Sequence, residues 1–316
     1  MSKDLIPPAF GSLGNGAANG FGVGLGSSSS AMAGLTGPGT QPVDEDGQVL
    51  DYMEMPREMA TFDPPIAPEP EDTEGMLEGK ARMELILDAL RAYRVGNDAT
   101  EIDISDLEAQ DLGLVNQLLG EGEVSLVFSD RLQAQESVLA GVWRVLHYRA
   151  DGTLERDCVE IGDFPNMLRK DTFAMAREKV ADLDESLPQG VFNAPSLLVE
   201  LQDKQAHYKP GDPVHSINLT LLPQTEEDLG YLTAKLGKGS TIILSRGYGN
   251  CRVSSTGTRN VWWVQYYNSQ DAIILNSLEV IDIPEVVAAA QEDIEDSAER
   301  LDEILSLYRP EAGELS

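Results

Sequence analysis

The feature that most constrains this chain's fold is that the sequence repeats itself. VWRVLHYRADGTLERDCVEIGDFP, Val142–Pro165, lies without gaps on VWWVQYYNSQDAIILNSLEVIDIP, Val261–Pro284, at an offset of 119. Val142/Val261, Trp143/Trp262, Val145/Val264, Tyr148/Tyr267, Glu160/Glu279, Asp163/Asp282 and Pro165/Pro284 are identical. Upstream, DLGLVNQLLGEG (Asp111–Gly122) matches DLGYLTAKLGKG (Asp228–Gly239) at an offset of 117, and YRVGNDATEIDI (Tyr93–Ile104) matches YKPGDPVHSINL (Tyr208–Leu219) at 115. Preserved order with near-constant spacing is the mark of a duplicated unit. Each copy must then fold from the same succession of elements.

Within the unit, the spacing predicts a helix (Glu84–Tyr93; Val199–Tyr208) and a short strand (Ile102–Ile104; Ile217–Leu219). A second helix has apolar residues at Leu112, Val115 and Leu119, or Leu229, Leu232 and Leu236, which makes one buried stripe. Gly120 and Gly237 close these helices. Strands follow at Glu123–Phe128 (Ser240–Ser245), at the tryptophans, and at Leu154–Ile161 (Ile273–Val280), the last two joined by the turn-rich links RADG and NSQD. A helix starts after Pro165 and after Pro284. In the second of these, Val287, Ala290, Ile294, Leu301, Leu305 and Tyr308 share one face. The fold class read from this pattern is α+β: two tandem repeats of one helix-plus-antiparallel-sheet unit, at 80–190 and 191–316. They are preceded by a mostly disordered Gly/Ser- and Pro/acid-rich leader over 1–79, because its stretch from 9 to 40 has no hydrophobic period to bury.

Composition narrows the function classes. The net charge is −31, from 54 acidic against 23 basic residues. Phosphate neutralisation needs clustered Lys and Arg, so nucleic acid is not an expected partner. The acidic excess instead favours solubility and encounters with basic partners. No apolar run reaches the ~18 residues of a membrane span, and the N-terminal stretch lacks the apolar core of a secretory signal, so no membrane insertion is expected. Two cysteines exclude a disulfide scaffold and fit a reduced, cytoplasmic setting.

The repeat also sorts residues by face, because successive strand side chains point to opposite sides. Trp143, Val145 and His147 share a face, as do Trp262, Val264 and Tyr266, and both sets suit a core. The other face reads Val142, Arg144, Leu146 and Tyr148 in the first copy and Val261, Trp263, Gln265 and Tyr267 in the second. Trp263, opposite an arginine in the alignment, is either packed between the two domains or exposed as a binding anchor. The segment RGYGNCRVSSTGTRN has no matching sequence in the first copy, which carries the shorter SDRLQAQESVLAG. It is either a glycine-adjusted hairpin or a feature specific to the second copy, with Gly247 and Gly249 free to adopt φ > 0. The candidate partner-binding residues are therefore Arg246, Gly247, Tyr248, Gly249, Cys251, Arg252, Trp263, Gln265 and Tyr267. Enzyme chemistry finds little footing. His147, His207 and His215 lie on different elements, and no CxxC, HExxH or Cys/His cluster is spaced to hold a metal. LGEG and LGKG lack the spacing of a phosphate-binding loop. Cys251 beside Arg252 is either a thiol of lowered pKa or an inert one. No catalytic residue, metal or cofactor is assigned.

The stretch from Gly247 to Leu301 resembles the C-terminal region of the HupH/HoxQ/HyaF hydrogenase expression/formation proteins. It has their GYG-x-C-R-[IV] run, their W-x-V-Q-Y-[FY]-N strand and their IPE helix start; the resemblance extends over Leu221–Leu305, and YMEMPREMATFDPP near Tyr52 is similar to their N-terminal region. The resemblance implies a cytoplasmic assembly chaperone for the iron–sulfur small subunit of an uptake nickel–iron hydrogenase. It would act by protein binding before twin-arginine export, with the small subunit, its leader and other accessory proteins as partners. Two alternatives stay open at this point: a redox or cluster-delivery protein using Cys251, and a scaffold bridging other maturation factors.

Overall fold

The computed structural model describes residues 67–309, apart from 222 and 248. In chain order these form α1 (Leu77–Ala92), β1 (Thr100–Asp103), α2 (Ala109–Leu119), β2 (Val124–Phe128), β3 (Leu132–Glu136), β4 (Val142–Tyr148), β5 (Leu154–Ile161) and α3 (Asn166–Asp171). The second half adds α4 (Ala194–His207), β6 (His215–Asn218), α5 (Glu226–Leu236), β7 (Lys238–Ser245), β8 (Asn250–Thr256), β9 (Val261–Tyr267), β10 (Ile273–Val280) and α6 (Gln291–Ser306). The leader expected over 1–79 lies outside the described residues up to 66. Its last part is structured, because α1 begins at Leu77 and Gly79 is buried against α2, its N–H donating to Asp111 Oδ1 at 2.7 Å.

All ten strands join in one antiparallel sheet of order β1-β5-β4-β3-β2-β7-β8-β9-β10-β6. Five strands come from each half, and the order read inward from either edge is the same. At the centre β2 pairs with β7, Leu126 opposite Ile243, with Val124 opposite Ser245 and Phe128 opposite Thr241. Several tertiary contacts recur in both halves. α2 ends at Gly120 (φ 55) and α5 at Gly237 (φ 74), a conformation that glycine reaches without steric cost. Asp228 Oδ1 accepts from the N–H groups of Phe192, Asn193 and Ala194, as Asp111 does from Gly79. Tyr93 Oη accepts from Asp163 N at 3.1 Å and Tyr208 Oη from Asp282 N at 2.7 Å. Arg169 then joins the halves, reaching Asp163 and Asp282 at 2.6 Å each.

The sheet separates three apolar clusters. On one side, α1, α2 and α6 pack on Val142, Val159 and Ile161, while α4 and α5 pack on Val261, Leu278 and Val280. On the other side a single cluster runs across both halves, from Trp143, Val145 and Cys158 through Leu126 and Ile243 to Trp262 and Val264. It is closed by the segments that follow β5 and β10: from the first, Phe164 stacks edge-on against Trp143 and Phe173 against Trp262, with ring centroids 5.9 and 5.1 Å apart, and from the second come Ile281, Ile283 and Val287. These two tails exchange sides. After Phe173, Val180 enters the α4/α5 cluster, and after Val287, α6 lays Ile294, Leu301 and Leu305 on α1 and its neighbours.

Three expectations need correction. The segments holding β3 and β8 carry no expected strand, apart from the glycine-adjusted hairpin that is one reading of the second, because LQAQE and NCRVSST alternate small or polar residues with few large ones. They are strands paired on both edges, and on the tryptophan side the small or medium Ala134, Cys251 and Val253 suffice to fill the core. The helix expected directly after Pro284 is broken. A 3-10 turn covers Glu285–Val287, Ala289 N donates to Asp163 O at 2.9 Å, and extended backbone at Ala290 (ψ 156) precedes α6. Trp263 does not sit between two domains; it leans on the α4/α5 cluster within the second half.

Candidate binding surface

The four central strands, β2, β3, β7 and β8, are covered unequally. On the tryptophan side Val124, Leu126, Leu132, Ala134, Ile243, Cys251 and Val253 are all buried. On the helical side Gln135 is buried, donating to the Gly122 and Val124 carbonyls, but Ser125, Val127, Gln133, Ile242, Leu244, Arg252 and Ser254 are only half-buried, and none of them belongs to either helical cluster. The cause is geometric: the helices of each half pack over the outer strands. Among the described residues, a strip of sheet about four strands wide therefore lies between two helical layers.

Four of the expected binding residues border this strip on one face. Arg252 lies across from Gln265, and Ser254 across from Trp263. Trp263, Gln265 and Tyr267 alternate along β9 and so point the same way. Tyr267 Oη donates to Gln265 Oε1 at 3.2 Å, and Trp263 Nε1 donates to Asn276 Oδ1 at 2.5 Å. Trp263 forms the wall where the strip meets α4 and α5.

The glycine turn stands at one end of the strip. Arg246 N donates to Glu123 O at 3.1 Å, and a Cβ on residue 247 would run into the Glu123 carboxylate. Gly249 has φ 98, where an L side chain is strained. Tyr248 lies outside the described residues. Cys251 takes the other direction. It is 1% exposed and packs in the tryptophan cluster beside Tyr266. Burial pushes its thiol up to about 12, which agrees with the inert reading and not with a thiol lowered by Arg252, and burial pushes the Tyr266 phenol up to about 12 as well.

One grouping escaped the sequence entirely. Glu101 of β1, His147 of β4, and Cys158 and Glu160 of β5 bring one ligand atom each within 4.8 Å of one another. Cys158 Sγ lies 3.6 Å from His147 Nε2, and Glu101 is directly opposite Glu160. This corrects the expectation that no Cys/His cluster exists. The histidine and the cysteine are eleven residues apart with no motif, and only the β4–β5 register places them together. Burial raises the pKa of Cys158 and Glu160 and lowers that of His147.

The chain matches the family model described as the HupH hydrogenase expression protein, C-terminal conserved region, twice: over residues 77–187 and again over 191–308. It is 44% identical over 273 residues to the hydrogenase expression/formation protein HoxQ of Cupriavidus necator, covering 86% of this chain and 95% of that one. It is 42% identical over 275 residues to HupH of Rhodobacter capsulatus, covering 86% and 96%. The hydrogenase-1 operon protein HyaF of Escherichia coli is 37% identical over 211 residues, covering 64% and 71%. A solved hydrogenase expression protein HupH from Thiobacillus denitrificans aligns at 29% identity and a TM-score of 0.34, over 36% of this chain and 95% of that one. No helix among the described residues is long and apolar enough to cross a membrane.

Proposed function

Because the chain belongs to the HupH family of hydrogenase expression proteins, we propose that it is an accessory factor of hydrogenase maturation that works by binding rather than by catalysis. The client is the iron–sulfur small subunit of an uptake nickel–iron hydrogenase, held in the cytoplasm before twin-arginine export. The observation that carries this reading is the half-buried strip between the helical layers, with Arg252, Trp263 and Tyr267 along its border. Arginine, tryptophan and tyrosine are the residues most enriched at binding hot spots. A sheet face between two walls offers a client both apolar contact, at Val127, Ile242 and Leu244, and polar partners at its rim.

The reading of the chain as two copies of one unit is supported by the mirrored strand order, the paired Tyr–Asp and Asp–amide contacts, and the double family match. It explains why the strip is central: α1 and α2 cover the outer strands of the first copy, joined by α6 from the second, and α4 and α5 cover those of the second. The alternative in which Cys251 carries electrons or a cluster gains nothing from the thiol's placement, since it faces the core.

The test is capture of the small subunit by the full chain. Arg252→Glu combined with Tyr267→Ala should weaken capture by about 2 kcal/mol or more while the thermal midpoint stays close to that of the parent. Glu299→Ala, on the exposed side of α6, should change neither. Undiminished capture by the double variant, with folding intact, would move the client off this face.

A further inference from the structure

We propose that Glu101, His147, Cys158 and Glu160 form a four-ligand site for one Zn2+ ion at the β1–β5–β4 edge of the sheet. Their ligand atoms already lie within 4.8 Å of one another. One nitrogen, one sulfur and two carboxylate oxygens are a donor set that zinc takes in tetrahedral geometry. With Zn–S near 2.3 Å and Zn–N near 2.0–2.1 Å, the sulfur–nitrogen edge of such a tetrahedron is about 3.6 Å. Cys158 Sγ and His147 Nε2 stand 3.6 Å apart.

The surroundings fit an ion. Three anionic ligands around a divalent cation leave one negative charge, and Arg156 is placed to balance it, paired with Glu101 and Asp103. A carboxylate has two oxygens, so Glu101 can keep Arg156 on one and offer the other. Glu160 is fixed by the Asn166 N–H, which donates to its Oε2 at 2.7 Å, the kind of outer support that orients a metal ligand. Two shallow cavities flank the group and share Glu101 and Met167, one reaching Lys170 and the other His147. They give an ion a path in.

The fold itself does not require three of these residues; only Glu160 has a counterpart of the same type, Glu279. At the other edge of the sheet the same register holds Ser216 opposite Glu279, Ser277 opposite Val264, and Tyr266 opposite Cys251. Serine and tyrosine therefore serve where the first half has glutamate, cysteine and histidine. A structural need for Glu101, His147 and Cys158 together would have appeared at both edges.

The experiment titrates the full-length chain, stripped by a chelator, with Zn2+ against a chromophoric competitor, and separately with Co2+. One equivalent should bind, and Co2+ should give a thiolate-to-cobalt charge-transfer band with the d–d intensity of a tetrahedral ion. Cys158→Ser should abolish that band. His147→Ala should weaken Zn2+ binding by more than the roughly 10–100-fold that loss of an outer-shell partner costs. Cys251→Ser should retain both signals. Zn2+ should raise the thermal midpoint of the parent and of Cys251→Ser only. If Cys158→Ser fails to fold, His147→Ala, whose side chain is only half-buried, decides. Absence of stoichiometric binding, or binding unaffected by His147→Ala, would reduce the group to a thiol–imidazole hydrogen bond beside two glutamates and overturn the proposal.

Discussion

Trp262 and Trp263 are neighbours in sequence, and a strand sends them to opposite layers. Trp262 is fully buried, its Nε1 donating to Asp282 O at 3.0 Å, whereas Trp263 keeps part of its ring in solvent. Truncating a buried tryptophan forfeits burial and leaves a cavity, so Trp262→Ala should cost about 3–5 kcal/mol. Trp263→Ala should cost about half as much, because only one side of the ring is packed. Chemical denaturation of the two variants checks the difference, and equal losses would put both rings in the core. Glu136 makes a second prediction. Burial, reinforced by Glu123 and Asp293, raises its carboxyl from 4.5 to about 7, with the Gly141 N–H opposing the shift. A carboxyl whose folded pKa lies above its unfolded value contributes stability that is fully present below the unfolded pKa and lost as pH rises through the folded one. Between pH ~4.5 and ~7 the protein should therefore lose on the order of 2 kcal/mol from this group, partial exposure being allowed for. Glu136→Gln should flatten that part of the stability profile and be the more stable form at pH 8. A parallel profile for parent and variant would show that Glu136 titrates normally.

At the scale of elements, the least expected arrangement is α6 lying on the other half of the protein. Its Ile294, Leu301 and Leu305 cover α1, while Asp302 pairs with Arg91 and Arg309 with Glu84. A chain stopped after Ala290 should expose the first helical cluster and lose cooperative unfolding, although every strand is still present. Retention of a single sharp transition would mean that α6 is an accessory layer. The periodicity of α6 was legible in the sequence, but the surface receiving it was not, because an amphipathic stripe states that it needs a partner without saying which. The strands carrying Trp143 and Trp262, and the two helices closed by Gly120 and Gly237, could be read because long apolar patterns and turn residues coincide in both copies. β3 and β8 could not, because their half-exposed face lets Gln133, Arg252 and Ser254 interrupt the apolar pattern. The same omission hid the row from Arg252 to Gln265, which exists only once β8 is a strand. The Glu101–His147–Cys158–Glu160 group was hidden for a related reason: it depends on the register of three strands, and no local spacing encodes that.

For the molecule as a whole, the net charge of −31 is the property that acts at the longest range. α6 presents Glu292, Asp293, Glu295, Asp296, Glu299 and Glu303 away from its buried stripe. Such a field acts at range and raises the encounter rate with a basic partner, while contributing little to the affinity once contact is made. The central strip is different in character, with Arg252 beside uncharged Gln265 and Tyr267. If the proposed function holds, the two features separate kinetically: the field would set how often a basic leader arrives, and the strip how long the client stays. The Debye length shrinks from roughly 30 Å at 0.01 M salt to about 10 Å at 0.1 M, so long-range attraction fades across that interval while packed contacts persist. Stopped-flow association with a small subunit bearing its twin-arginine leader should then show an on-rate that falls steeply with salt and an off-rate that barely moves. Arg252→Glu combined with Tyr267→Ala should do the reverse, raising the off-rate at every salt concentration. If the on-rate is indifferent to salt, the charge serves solubility alone; if the off-rate carries the salt dependence, the client is held by ion pairs and the strip is not its seat.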